Sequence, residues 1–364
     1  MKLNQGYFIL FFQQILAFAS LSFMTFFFKK QGYSMEELVL LYVFFTFMAV
    51  LFTSLTNVFN LRYFLVSGIL AFAGMNLLLF FNWPGWSFWL YPFLGAGTAL
   101  FFWISLNYLF FRDCADGCHG RRSAVYQICS SLLGVFLPSL GALFIVYKSY
   151  SFLFLLCAFL HLPLLFYVWK KVPAITLRTR LASEMEKFRG LRIITMAEGA
   201  LQFFSGVVLV IYSLFFISRE QQFGFFLGYL GLISLVIAFF LSWRSDKLQK
   251  RMGYLYFLFF LMAFSVFALI FAPDLKWWVI LTGIFSLLAT ISFPLRLAVS
   301  LDLKKAELGF WRMRELFLNI GRAITFSLTF IFFHYRVYWL TFVVFGMIAL
   351  LYPFLIHYKF RRLK

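Results

Sequence analysis

Charged side chains are scarce in this 364-residue sequence: Asp, Glu, Lys and Arg make up 12% of it, where a soluble domain uses about a quarter. That shortfall excludes an ordinary soluble domain. Acids are the scarcer sign, 13 against 32 Lys and Arg, so any carboxylate inside a hydrophobic segment can be weighed singly. Cysteine is limited to positions 114, 118, 129 and 157, an uneven spacing that excludes a disulfide framework and fixes no redox compartment. Cys114, Cys118 and His119 with Asp113 and Asp116 cluster in one loop, but the spacing fits no zinc pattern, and no metal or cofactor is expected. The four histidines are scattered and no His-Asp or paired-carboxylate set gathers, which speaks against an enzyme. A G-x-x-x-x-G-K-[ST] loop is lacking, so ATP-driven transport would need another subunit.

Long hydrophobic runs are what the sequence has instead. It is 63% hydrophobic with a mean hydropathy of +0.91. Taking apolar runs of about 18 to 25 residues as membrane-spanning helices, we place twelve, at 6–28, 38–59, 63–81, 86–111, 124–146, 149–169, 193–217, 223–243, 254–272, 276–301, 315–333 and 337–358. The first follows a single Lys2, exceeds a signal-peptide core and lacks a small-residue cleavage site, so it is expected to remain as a helix. Aromatic residues make up 23% of the chain and read mainly as packing and interfacial belts.

The longest polar stretch, 170–192, lies between the sixth and seventh runs and carries seven basic residues against Glu184 and Glu186. With this stretch inside, 24 of the 32 basic residues fall on inner segments and six on outer ones, Lys29, Lys30, Lys148, Arg219, Lys276 and Arg336. The bias follows the positive-inside rule and places both termini in the cytoplasm of a plasma membrane of the bacterial inner-membrane type. It also accounts for the net charge of +19 through topology and lipid headgroups, without nucleic acid. The halves show weak internal symmetry: Pro84 and Pro273, Gln13 and Gln202, Arg62 and Arg251, and Asn107 and Arg296 are each 189 apart, and Pro163 and Pro353 are 190 apart. A duplicated six-helix unit follows, with 1–169 as the first bundle, 170–192 as a linker and 193–364 as the second bundle.

After the eighth run, Ser242, Trp243, Arg244, Ser245, Asp246, Lys247, Leu248, Gln249, Lys250 and Arg251 resemble the G-x-x-x-D-R-x-G-R-R loop of the major facilitator superfamily. Asp246, Lys247, Lys250 and Arg251 match in charge, while Ser242 and Gln249 replace the two glycines. The corresponding first-half loop, 57–63, keeps only Arg62 and has no acid. In the fifth run Pro138 and Gly141 are similar to part of the family's G-x-x-x-G-P-x-x-G-G antiporter motif, from which Leu137 and Ala142 depart, and antiport is not implied. The resemblance spans the chain. It implies an all-α membrane protein of twelve transmembrane helices in two pseudo-symmetric six-helix bundles around a central cavity, with rocker-switch alternating access. The charged loop residues Asp246, Lys247, Lys250 and Arg251 would then take part in gating.

A charge at the bilayer centre costs about 2.5–3.5 kcal/mol on insertion scales, so the polar residues inside the runs are the site candidates. Arg314, Glu315, Asn319 and Arg322 open the eleventh run, and Glu315, Asn319 and Arg322 share one helical face. Their span rises about 10.5 Å, so Asn319 or water is expected to bridge carboxylate and guanidinium. Arg322 would bind an anionic solute group or gate the cavity with Glu315, or else the three form a structural network. Glu198 shares a face with Thr195 and Gln202; shielded from water its carboxylate would favour the protonated form and suit proton coupling, unless it stays hydrated or pairs with a base. Gln13, Gln14 and Gln202 lie at a depth comparable to Arg322 and would hydrogen-bond a solute or glue helices together. Arg296 would contact solute or snorkel to the interface. His161 reads as a satisfied structural histidine.

The expected function is secondary active transport of a small organic solute, anionic or amphipathic, by a monomer in contact with membrane lipids. Gln14, Gln202, Arg296, Asn319 and Arg322 would bind the solute, and a proton at Glu198 or another ion would couple its movement. The alternatives are a lipid flippase on the same fold and a membrane-embedded transferase.

Overall fold

The computed structural model describes the backbone of residues 5–112, 119–245, 251–303 and 307–363, and their side chains except at 119–121, 124, 236–245, 251–254, 298–299, 302–303 and 359–363. Twelve long helices run through the described residues. Helices one to six are Gln5–Lys30, Met35–Leu55, Leu61–Phe81, Trp86–Phe111, His119–Tyr147 and Tyr150–Lys171. Helices seven to twelve are Arg192–Ser213, Glu220–Ser245, Arg251–Ala268, Leu275–Leu303, Leu308–His334 and Trp339–Leu363. Among the described residues ten of these are long and apolar enough to cross a membrane, and helix nine adds the shorter apolar stretch Leu255–Phe271. The chain is a multi-pass membrane protein.

Local sequence sets the helix ends. Ser34 and Glu37 form a reciprocal capping box at the start of helix two, with Glu37 N donating to Ser34 Oγ at 3.2 Å and Ser34 N donating to the Glu37 carboxylate at 2.7 Å, which satisfies two backbone donors the helix cannot. Helix three stops at Asn82, in the left-handed region at φ 45°, with Pro84 following. Prolines sit inside helices four, five, six, ten and twelve; packed membrane helices tolerate them because neighbours and local wide turns re-satisfy the freed backbone. Two such wide turns are π-helical, Thr98–Trp103 in helix four and Phe204–Val208 in helix seven.

Packing repeats between the two sets of six. Helix one packs on five and six as seven packs on eleven and twelve, three on six as nine on twelve, and two on four as eight on ten. Across the divide helix five lies along eight and helix two along eleven, the two contacts a half-chain repeat interchanges. Helices this close need small residues. A Cβ on Gly231 would strike the Gly134 backbone, and one on Gly224 would strike Pro138 and Ala142. Of the two residues that resemble the antiporter motif, Pro138 therefore serves the seam between helices five and eight, and Gly141 lies against Ala19 and Phe23 of helix one.

Helix eleven begins seven residues earlier than its apolar run, at Leu308. Arg312 and Arg314, expected on an inner loop, are consequently buried in the protein. Their neighbours explain the difference: Leu308, Phe310, Trp311 and Met313 are buried too, so the arginines are carried in with an apolar helical turn. Expected as a purely helical chain, the protein also has a two-stranded antiparallel sheet, Val58–Asn60 against Thr176–Arg178, with Phe59 opposite Leu177. The loop between helices two and three thus pairs with the linker. Arg62 Nε extends the contact by donating to Val172 O at 2.7 Å. The rest of the linker forms a short helix, Leu181–Lys187.

Arg312 closes this linker face. Its guanidinium donates to the carbonyls of Thr53 at 3.1 Å and Ser54 at 3.0 Å, to Asn57 Oδ1 at 3.3 Å, and to Thr179 O at 3.2 Å and Oγ1 at 2.9 Å. Thr53 and Ser54 end helix two, where carbonyls lack helical partners and the helix dipole favours a cation. On the opposite face Lys30 pairs with Glu220, and His334 Nδ1 lies 3.0 Å from Glu36 Oε1. Contacts between the two sets of helices thus close both faces.

Two outcomes test this packing. A Cβ on Gly199 would meet the Leu318 backbone and one on Gly321 the Met196 carbonyl, whereas one on Gly206 meets open space. Gly199→Ala and Gly321→Ala should each lose about 1–3 kcal/mol or more of stability by overpacking, read as a lower thermal midpoint by tryptophan fluorescence, with Gly206→Ala unchanged. In Arg312→Gln, tryptic cleavage after Arg178 and Arg180 should accelerate several-fold; an unaltered rate would refute the closing role of Arg312.

Candidate functional site

Two chambers lie between the halves. The chamber toward the Lys30–Glu220 face has a volume of about 370 Å³ and is walled by helices one, two, five, seven, eight and ten, with Ser22, Thr25, Gln127, Ser130, Thr290 and Arg296 as polar lining. The chamber toward the linker face has about 390 Å³, with Gln14, Asn107, Arg314, Glu315 and Arg322 among its walls and Phe45, Trp103, Phe203 and Trp311 as aromatic lining. Gln127, Gln202 and Phe293 wall both. Each chamber borders a π-helical turn: Ser205 and Gly206 belong to the one in helix seven, Ala99 and Trp103 to the one in helix four. Such turns recur where a helix serves a site rather than a packing face.

Charges in the linker-side chamber are arranged by the crossing of helices seven and eleven. Arg322 Nη1 donates to Glu315 Oε1 at 3.1 Å and to Asn319 Oδ1 at 3.0 Å, and Asn319 Nδ2 donates to the same carboxylate oxygen at 3.1 Å. The helical rise had suggested a bridged pair; the contact is direct, because Arg322 leans back toward the helix N-terminus. Arg322 Nη2 also donates to Gln202 Oε1 at 2.9 Å, and its guanidinium lies 4.4 Å from the Phe203 ring centroid. One turn below, Arg314 Nη2 stands 2.9 Å from Glu198 Oε1. Both Glu198 oxygens nonetheless lack a hydrogen-bond donor, so this pair is held by charge and proximity rather than by good hydrogen-bond angles. Glu198 is buried and ion-paired, not hydrated.

The chambers bring together Gln14, Gln202, Arg296, Glu315 and Arg322 as lining, with Asn319 buried behind and bonded to both Glu315 and Arg322. Gln14 Nε2 donates to Ser130 Oγ at 2.6 Å. Gln13, the symmetry mate of Gln202, is buried away from either chamber with both amide atoms unpartnered; its neighbour Gln14 takes the lining position. Arg296 does not snorkel: at 3% exposure it is inside the protein, facing the first chamber. Asn107, its repeat partner, lines the second. His161 Nδ1 lies 2.7 Å from Cys157 O, a structural contact within helix six. Asp246, Lys247 and Lys250 lie outside the described residues, as do Asp113, Cys114, Asp116 and Cys118, and Arg251 is described in its backbone alone.

Sequence reasoning set Arg314, the partner of Glu198, at the start of the eleventh run but gave it no role, because it was counted with loop charges. The available signal was its setting, between Met313 and Glu315 in a turn that also holds Trp311. Gln127, Ser130 and Thr290 were missed. They are single polar residues in long helices, and Thr290 Oγ1, 2.8 Å from Ser234 Oγ and from Ser286 O, has no sequence feature that sets it apart from hydroxyls bonding their own helix.

No family model matches the sequence, and neither does any curated protein. Solved structures do. The human organic anion transporter MFSD10 (TETRAN) aligns with a TM-score of 0.67 at 12% identity, over 98% of this chain and 100% of that one. A POT family transporter in complex with a thioalcohol-conjugated peptide aligns with a TM-score of 0.66 at 11% identity, over 99% of this chain and 96% of the other. Likeness at such identity establishes the fold alone: the chain shares the fold of these two transporters.

Proposed function

We propose that the protein is a secondary active transporter of a small organic solute, anionic or amphipathic, working as a monomer by alternating access of the bundles 1–169 and 193–364 about the linker 170–192. The observation that carries this reading is the pair of chambers with charged and polar lining between the halves, together with the contacts between the two sets of helices at both faces. Volumes of about 370 and 390 Å³ lie in the range of small-molecule sites, about 300–1,000 Å³, and favour a compact solute over a two-chain lipid. One of the similar structures is an organic anion transporter, which agrees with an anionic solute. The positive bias supports a linker face on the cytoplasmic side of a plasma membrane. Gln14, Gln202, Arg296, Asn319 and Arg322 are the solute contacts or their direct supports.

Glu198 supplies the coupling step in this reading. Among the described residues its ion-pair partner is Arg314, which lines the linker-side chamber. A proton taken up at Glu198 neutralises the carboxylate and releases Arg314 toward the solute, and loss of the proton restores the pair, so proton and solute move together. The charged latch beyond helix eight, Asp246, Lys247, Lys250 and Arg251, and the buried Glu315 are assigned to gating.

Reconstitution into liposomes with a panel of labelled solutes, with and without a pH gradient, tests the proposal. Flux of at least one organic solute is expected, raised by a proton gradient directed the same way as the solute; covalent product without flux would favour a transferase instead. Glu198→Gln, which cannot titrate, should abolish proton-driven accumulation and leave counterflow intact. Unchanged accumulation would remove Glu198 from coupling. In a double-mutant cycle, Glu198→Ala and Arg314→Ala should each cost about 3–5 kcal/mol by stranding a buried charge. The double variant should lose much less than their sum, as read from thermal unfolding.

A further inference from the structure

Five charged side chains belong to the chamber walls or pair with them: Arg296, Arg314 and Arg322 against Glu198 and Glu315. Each glutamate is already committed, Glu198 to Arg314 at 2.9 Å and Glu315 to Arg322 at 3.1 Å. Arg296 is left over. It is 97% buried, and among the described residues its Nε and Nη1 have no hydrogen-bond partner. Its company is the rings of Phe259 and Phe293, each with a centroid 5.9 Å from the guanidinium, at the outer limit of a cation–π contact. Tyr352, stacked on Phe259 at 4.3 Å, lies within electrostatic reach of Glu198, Arg296 and Arg314 together. The three charges therefore share one neighbourhood, and its sum is positive.

A guanidinium cannot shed its proton inside a protein, and a buried charge without a partner is strongly unfavourable. Polar groups left unpaired inside a native protein call for an explanation. Here the unpaired group faces a chamber whose other polar lining is uncharged, made of hydroxyls and amides from Ser22, Thr25, Gln127, Ser130 and Thr290. We infer that this chamber takes an organic monoanion of the carboxylate type, with Arg296 as the counter-charge and the hydroxyl and amide lining as partners for the rest of the molecule. The inference rests on the reading of the chamber as the solute site and narrows its substrate class. A single negative charge balances the wall. A neutral solute leaves Arg296 unpaired, and a second negative charge on the solute finds no second cation among the described lining of this chamber.

Thermal unfolding of the purified full-length protein in an uncharged detergent at low ionic strength tests this, using benzoate, benzamide and phthalate as one shape with charge of minus one, zero and minus two. Benzoate should raise the midpoint in a concentration-dependent manner, with at least tenfold weaker responses to benzamide and phthalate. Arg296→Met should abolish the benzoate response. With no added anion the same variant should unfold at or above the wild-type midpoint, because it removes an unpaired buried charge; Arg322→Met, which strands Glu315, should unfold lower. A drop in Arg296→Met without anion, or equal stabilisation by benzamide, would overturn the inference, as would no response to any of the three. The outcome separates from that of the transport reading. Benzoate-selective stabilisation without flux of any solute would leave the anion site standing and refute transport. Flux of a neutral or cationic solute without benzoate-selective stabilisation would do the reverse.

Discussion

Helices seven and eleven touch backbone to backbone, at Gly199 against Leu318 and Gly321 against Met196, and the charged site depends on that contact. Only at such an approach do Glu198 and Gln202 on one helix reach Arg314 and Arg322 on the other, at 2.9 Å in both cases. A side chain at either glycine would push the helices apart, taking Gln202 from Arg322 and leaving Arg314 and Glu198 in a low-dielectric interior without each other, where each charge is costly. Close packing and buried charge here are one constraint, expressed once in backbone and once in side chains.

The frame is symmetric but the chemistry on it is not. Helix contacts repeat from one half to the other, yet every charged side chain lining the chambers comes from helices ten and eleven, and Glu198 from helix seven. The first half contributes amides, hydroxyls and rings: Gln14, Asn107, Gln127, Ser130, Phe45 and Trp103. The packing positions, which depend on size and apolarity, match between the halves, while the lining positions differ. The offset pair Gln13 and Gln202 shows the divergence at one site, the first buried in packing and the second walling both chambers.

Most of the fold was legible because membrane helices announce themselves by length and apolarity, and the twelve runs correspond to the twelve helices. Of the site, Glu198, Gln202, Arg296, Asn319 and Arg322 stood out as polar residues within apolar runs. What was not legible depends on partners distant in sequence. Arg312 and Arg314 look like topogenic loop charges until Thr53, Thr179 and Glu198 are seen around them. The strand pairing of 58–60 with 176–178 is likewise invisible, since three-residue strands carry no period long enough to read. The wide turns in helices four and seven also leave no mark on hydropathy.

The linker, 23 residues long between positions 170 and 192, is docked in two separate pieces. Residues 172–178 are held to the first half by the strand ladder and Arg62. The short helix Leu181–Lys187 and Phe188 lie on the second half, where Phe188 stacks on Phe317 at 5.7 Å and Arg192 Nη2 donates to Met185 O at 2.6 Å. The chain passes from one piece to the other between Thr179 and Arg180, directly under the Arg312 guanidinium. With both pieces docked, the stretch that is free to bend between the two halves is about one peptide unit wide, so the proposed rotation of the halves would use the linker as a hinge pin rather than as slack rope.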